Sequence, residues 1–163
     1  MRRTTRLDFL PEETEVSSQS VEPRLFTVQE AQEVLDKIRP LVDHMLQTFA
    51  LIRREVESAA GEAGLKPGDS KLARHLENRG VAPRLLQDIN GTIQAIQSHG
   101  CVVNGPEAGL VDFPCLMGNE IVFLCWKFGE SLIGHWHRIP DGFAGRRALL
   151  DRDDAIESAP TIH

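Results

Sequence analysis

The chain has 163 residues, with 18 Lys+Arg against 24 Asp+Glu for a formal net charge of −6, and 41% of its residues are hydrophobic. That length suits one domain, and the acidic balance speaks against a nucleic-acid-binding role, which wants a basic face. No apolar run approaches the roughly 20 residues of a membrane-crossing helix.

The charge is unevenly spread. Residues 1–24 carry 4 basic and 5 acidic side chains and residues 148–163 carry 1 and 4, leaving 13 and 15 for residues 25–147. The middle is nearly balanced, so net charge says little about what it binds. The expected organisation is a flexible acidic tail over 1–23, a single domain over 24–147 and a second flexible acidic tail over 148–163. The basic start Met1-Arg2-Arg3 is followed by no apolar stretch, so no secretory signal is read. Three cysteines, an odd number without a CxxC, suggest reduced thiols and a cytoplasmic location.

Thr27-Val28-Gln29-Glu30 has the form of a capping box, in which the Thr hydroxyl and the Glu carboxylate each reach the other's backbone amide. Apolar residues then fall at Val28, Ala31, Leu35, Ile38, Val42, Met45, Phe49, Ile52 and Val56. The 3-4 spacing is an unbroken heptad seam and predicts one helix about 50 Å long, coiled-coil-like in its patterning. The seam keeps its register across Pro40, which predicts a kinked helix rather than two helices.

Gly61 and Gly64 should end this helix, and Lys66-Pro67-Gly68-Asp69-Ser70 is a turn with a ready N-cap. A short helix is expected over 71–78, closed by Gly80, and a third from about Pro83 to Gly100 with Leu85, Leu86, Ile89, Ile93 and Ile96 on its apolar face. A partner half the length of the first helix leaves part of the seam uncovered, which motivates a homodimer through the heptad face.

Beyond Cys101 the pattern turns to short β runs. Strands are expected at 101–103, 109–113, 121–126 and 133–137, with Met117-Gly118-Asn119-Glu120 as a hairpin loop and Asp141–Arg147 as a glycine-rich closing loop. The fold class is therefore α+β: a long, Pro-kinked helical hairpin packed with a small C-terminal antiparallel sheet.

Chemistry-bearing side chains concentrate between Asp112 and Arg147. His135 and His137 share one face of a strand, with Trp136 on the other. Two imidazoles with a carboxylate such as Glu130 or Asp112 are a donor set for Zn²⁺ or Fe²⁺ with a position open for water. The opposing reading makes these histidines hydrogen-bonded packing residues. Cys125, inside an apolar strand, reads as an inert core thiol. Arg146 and Arg147 suit either an anion or pairing with Asp112, Glu130 or Asp141. No Walker A, GxGxxG, HExxH or GxSxG sequence is present.

Several stretches together resemble one family: Leu25-Phe26-Thr27-Val28-Gln29-Glu30-Ala31, Arg39-Pro40-Leu41, Gly109–Pro114, Cys125–Glu130, Ile133–His137 and Asp141–Arg146. The chain is similar, over residues 24–147, to the uncharacterised bacterial family catalogued as domain of unknown function 2203. The resemblance implies no reaction. It weakens a His-x-His chelate, since the family pattern has an aromatic residue or His at the position of His135 beside a Trp-His pair matching Trp136-His137. It points instead to Asp112, Glu130, His137, Asp141 and Arg146, which beside Trp126 and Trp136 would suit a small-ligand pocket.

Two functions follow. The first is a homo-oligomeric helical scaffold whose C-terminal sheet binds a small molecule or protein, with no nucleic acid and no membrane among its partners. The second is a metal-dependent hydrolase or oxygenase using His137 with nearby carboxylates, and His135 and Glu130 as further ligands.

Overall fold

The computed structural model describes residues 24–149; the two expected tails lie almost wholly outside the described residues. Helix α1 runs from Val28 to Ala63 without interruption at Pro40. Its capping box forms as the sequence predicts: the Thr27 hydroxyl accepts from the Glu30 amide at 3.2 Å, and the Thr27 amide donates to Glu30 Oε2 at 2.8 Å. The helix continues through Gly61 and stops at Gly64, which takes up the left-handed conformation. Asp69 caps α2 (Ser70–Arg79) by accepting from the Lys71 amide, and Gly80 separates it from α3 (Val81–Gln97).

Five strands follow in a meander: β1 (Val102–Gly105), β2 (Leu110–Met117), β3 (Glu120–Lys127), β4 (His135–Arg138) and β5 (Arg147–Ala148). They lie in sequence order in one sheet, every neighbour antiparallel. Gly118 and Asn119 make the two-residue turn between β2 and β3, with Gly118 at φ +65°.

β2 is longer than its apolar pattern predicts, because it continues through Pro114. The Pro114 carbonyl accepts from the Phe26 amide at 2.7 Å, so this residue's backbone faces away from β3, beyond the point where β1 ends. Its missing N–H costs the ladder no hydrogen bond.

The sheet's inner face carries Val111, Phe113, Cys115, Val122, Leu124, Trp126 and Trp136. They form one core with Ala31, Leu35, Ile38, Val42 and Met45 of α1 and Ile96 of α3. A second small core joins Ala59 and Ala60 of α1 to Leu72 of α2. The sheet, α3 and α2 thus cover successive parts of the heptad seam within one chain. Phe49, Ile52 and Val56, farther along the seam, stay half-buried.

α1 and α3 are also tied by polar side chains. Asp88 accepts from Thr48 at 3.0 Å and lies 2.7 Å from His44 Nε2. Arg79 on α2 reaches Glu62 at 3.2 Å and Glu55 at 3.8 Å, which ties α2 to α1. None of the described helices is long and apolar enough to cross a membrane.

Candidate functional site

Strand register builds the site. Asp112 on β2 stands opposite Cys125 on β3, and on β4 His135 stands opposite Cys125 while His137 stands opposite Phe123. Side chains alternate across a strand. With Val111, Phe113, Leu124, Trp126 and Trp136 turned into the core, Asp112, Cys125, His135 and His137 all emerge on the outer face. The turns Ile139–Asp141 and Phe143–Gly145 lie beside that face and complete a cavity of about 380 Å³. Its walls include Leu110, Phe123, Ile139 and Phe143, with Asn104, Asp112, Cys125 and His137 among its lining groups.

Along the cavity's lining, one ligating atom from each of Asp112, Cys125 and His137 lies within 4.8 Å of the others. The Asp112 and His137 side chains are each 3% exposed, and His137 Nε2 lies 3.3 Å from Asp112 Oδ2 without the alignment of a hydrogen bond. His137 Nδ1 lies 2.8 Å from the carbonyl of Arg138. A carbonyl only accepts, so Nδ1 carries a proton and a neutral ring keeps its lone pair on Nε2. Asn104 donates to Asp112 Oδ2, while Asp112 Oδ1 has no partner.

The Cys125 thiol is pushed up to about 12, chiefly by burial and further by its hydrogen bond to Asp112 and that carboxylate's charge. The order of the trio is not that of a nucleophile–base–acid relay, in which the carboxylate holds the ring nitrogen opposite the one that takes the thiol proton. Here that nitrogen, Nδ1, meets the Arg138 carbonyl instead.

A second cluster borders the first. Arg146 Nη2 donates to Glu130 Oε2 at 2.7 Å and to the carbonyl of Cys125 at 3.3 Å. Burial works to raise the Glu130 carboxyl, but the Arg146 hydrogen bond, the Lys127 amide and the charges of Arg146 and His135 prevail, and it lies below the ordinary range. His135 Nδ1 is 3.8 Å from Glu130 Oε1. Arg39 of α1 fixes this corner, donating to the carbonyls of Glu130 and Ser131 with its guanidinium over the Trp126 ring.

The residues proposed from sequence thus divide. Asp112 and His137 meet in the cavity, and Glu130, His135 and Arg146 form the neighbouring cluster. Trp126 and Trp136 lie on the opposite, core face, by the same alternation that exposes Cys125 and the histidines; Trp126 donates through its indole to the Glu130 carbonyl. Asp141 is exposed and does not line the cavity. A Cβ on Gly145 would lie 2.4 Å from the Asp141 Cβ, so only glycine fits beside it.

Cys125 is buried within an apolar strand, as expected, but beneath the outer face beside Asp112 and outside the helix-facing cluster. Asn104, Phe123 and Phe143 were also missed. The available signal for Cys125 was its odd parity against Leu124 and Trp126, masked because β3 is apolar on both sides.

The fold and site define a two-layer α+β domain carrying a buried polar constellation on the face of its sheet away from the helices. The chain belongs to the family described as uncharacterized conserved protein (DUF2203), whose family model matches residues 24–149. No curated protein and no solved structure matches the chain.

Proposed function

We propose that the protein binds a small amphipathic molecule on the outer face of its sheet, and that the helical half is the scaffold holding that face. One observation carries this reading. Among the described residues, the buried side-chain polar atoms without a hydrogen-bond partner are Asp112 Oδ1, His135 Nδ1, His137 Nε2 and Arg146 Nε. All four belong to the site's two adjoining clusters. Buried polar groups are nearly always satisfied, so their convergence marks a place where something else supplies the partners.

The cavity fits such an occupant in size and character. Its volume is in the range of small-molecule sites, and such sites pair apolar walls with a few convergent polar groups. Leu110, Phe123, Ile139 and Phe143 would take an apolar body, and Asp112 and His137 would take one polar group.

The test is an amide NMR titration with small fragments, each carrying an apolar ring and one polar group. Binding should shift the amides of residues 112, 125, 137 and 143, and Leu110→Trp, which grows into the cavity, should weaken affinity by about tenfold or more, a loss of some 1.4 kcal/mol. Fragments that leave these amides unmoved, or that bind the wild type and Leu110→Trp equally, would overturn the reading.

A further inference from the structure

We infer that Asp112, Cys125 and His137 form a Zn²⁺ site, with one carboxylate oxygen, the thiolate sulfur and imidazole Nε2 as its ligands. The three side chains come from three adjacent strands and offer one oxygen, one sulfur and one nitrogen donor. A thiolate with an imidazole selects zinc over calcium or magnesium, which prefer all-oxygen sites.

The spacing suits one ion. Ligands about 2.0–2.3 Å from a tetrahedral zinc stand roughly 3.5 Å from one another. His137 Nε2 and Asp112 Oδ2 are already 3.3 Å apart, and no pair in the trio exceeds 4.8 Å.

The surroundings are arranged as for ligands. The Arg138 carbonyl holds His137 Nδ1–H and so aims Nε2 inward, and Asn104 orients the Asp112 carboxylate. Hydrogen bonds of this kind fix the tautomer and ring orientation of metal-bound histidine. They leave a buried nitrogen lone pair facing a buried carboxylate with no aligned hydrogen bond between them. Two acceptors so placed need a positive charge between them, and a cation supplies it to both at once. The cavity adjoins the trio, so a zinc held by three protein ligands would keep its fourth position for whatever enters there.

The alternative chelate of His135, His137 and Glu130 is disfavoured by charge and direction. Glu130 is already engaged by the Arg146 guanidinium at 2.7 Å, so a divalent cation there would sit against a fixed positive charge. His135 turns toward Glu130, while His137 faces Asp112.

The experiment uses the full chain, freed of metal with a chelator that is then dialysed away, and titrated with Co²⁺ and then Zn²⁺. One equivalent of Co²⁺ should give a tetrahedral visible spectrum and a sulfur-to-cobalt charge-transfer band, both displaced by Zn²⁺. Cys125→Ser should abolish the charge-transfer band, and His137→Gln should lower affinity about a hundredfold. Asn104→Ala should lower it about tenfold, as for other groups hydrogen-bonded to a metal ligand. His135→Ala should leave stoichiometry and spectrum unchanged. A second measurement on the wild type does not depend on any variant folding: Zn²⁺ should shift the ¹⁵N resonance of His137 Nε2, not Nδ1. Substoichiometric cobalt, a spectrum without thiolate character, or an unmoved Nε2 resonance overturns the site. The inference stands apart from fragment binding: a protein that takes zinc but no fragment keeps this site and loses the preceding reading.

Discussion

His137 Nε2 on β4 and Asp112 Oδ2 on β2 face each other at 3.3 Å across β3, both side chains 3% exposed. Two buried acceptors so placed oppose each other in the metal-free protein, and a donor introduced on one of them can join them. Asp112→Asn, which removes the buried charge and offers an amide N–H to Nε2, should raise stability by about 1 kcal/mol in urea unfolding of the metal-free protein. Unchanged or lowered stability would show that Nε2 does not face the carboxylate as an acceptor.

Glu130 provides the pH dependence. Its carboxyl lies below its usual value of 4.5 in the folded protein, burial notwithstanding, because Arg146 and the Lys127 amide favour the charged form. A group whose folded value is depressed stabilises above its unfolded value, and that contribution fades as pH falls through the folded one. Stability should therefore decline below about pH 4.5, and Glu130→Gln should flatten this part of the profile. The substitution should cost roughly 1–2 kcal/mol at neutral pH. An unchanged acid limb in Glu130→Gln would assign the pH dependence to other carboxylates.

Arg39 joins α1 to the β3–β4 loop through the carbonyls of Glu130 and Ser131. Arg39→Met keeps most of the aliphatic stem and leaves both acceptors without this donor. A loss of about 1–3 kcal/mol is expected. Hydrogen exchange should accelerate for residues 128–134 and remain unchanged in α2.

Gly109 sits at φ +65°, where an added Cβ would lie 2.6 Å from the Phe128 Cβ; its own carbonyl accepts from the Phe128 amide. Gly109→Ala combines left-handed strain with that collision and should cost upward of about 1–3 kcal/mol by thermal or urea unfolding. A neutral result would mean that the Gly109–Phe128 contact relaxes freely.

The helical half was largely legible because its signals are local. Thr27 and Glu30 are three residues apart, and the apolar periodicity from Ala31 to Met45 marks the face that is buried. The β2–β3 turn was legible for the same reason, since Gly118-Asn119 lies between two short apolar runs. The site was legible only in part. His135 and His137 could be placed on a common face by alternation, but which carboxylate each would meet depended on registers between strands.

Cys125 shows the limit most clearly. Within its own strand it is one apolar residue among six, and a shift of one position would exchange it with Leu124 or Trp126. Only the pairing of Asp112 with Cys125, and of Phe123 with His137, turns the thiol toward the carboxylate and imidazole. The charge reading met a similar limit, because Arg146 had several possible acidic partners until the β3–β4 loop placed Glu130 at 2.7 Å.

Local sequence therefore determined the capped α1 helix, the glycine stops, the β meander and which histidines share a face, because each depends on residues a few positions apart. The tertiary structure decided that the sheet packs on the Ala31–Met45 part of the heptad seam, that both tryptophans are core, and that Asp112, Cys125 and His137 meet. Those outcomes depend on how strands pair and on which face α1 covers, and on that packing rests the burial of three donor groups around one point.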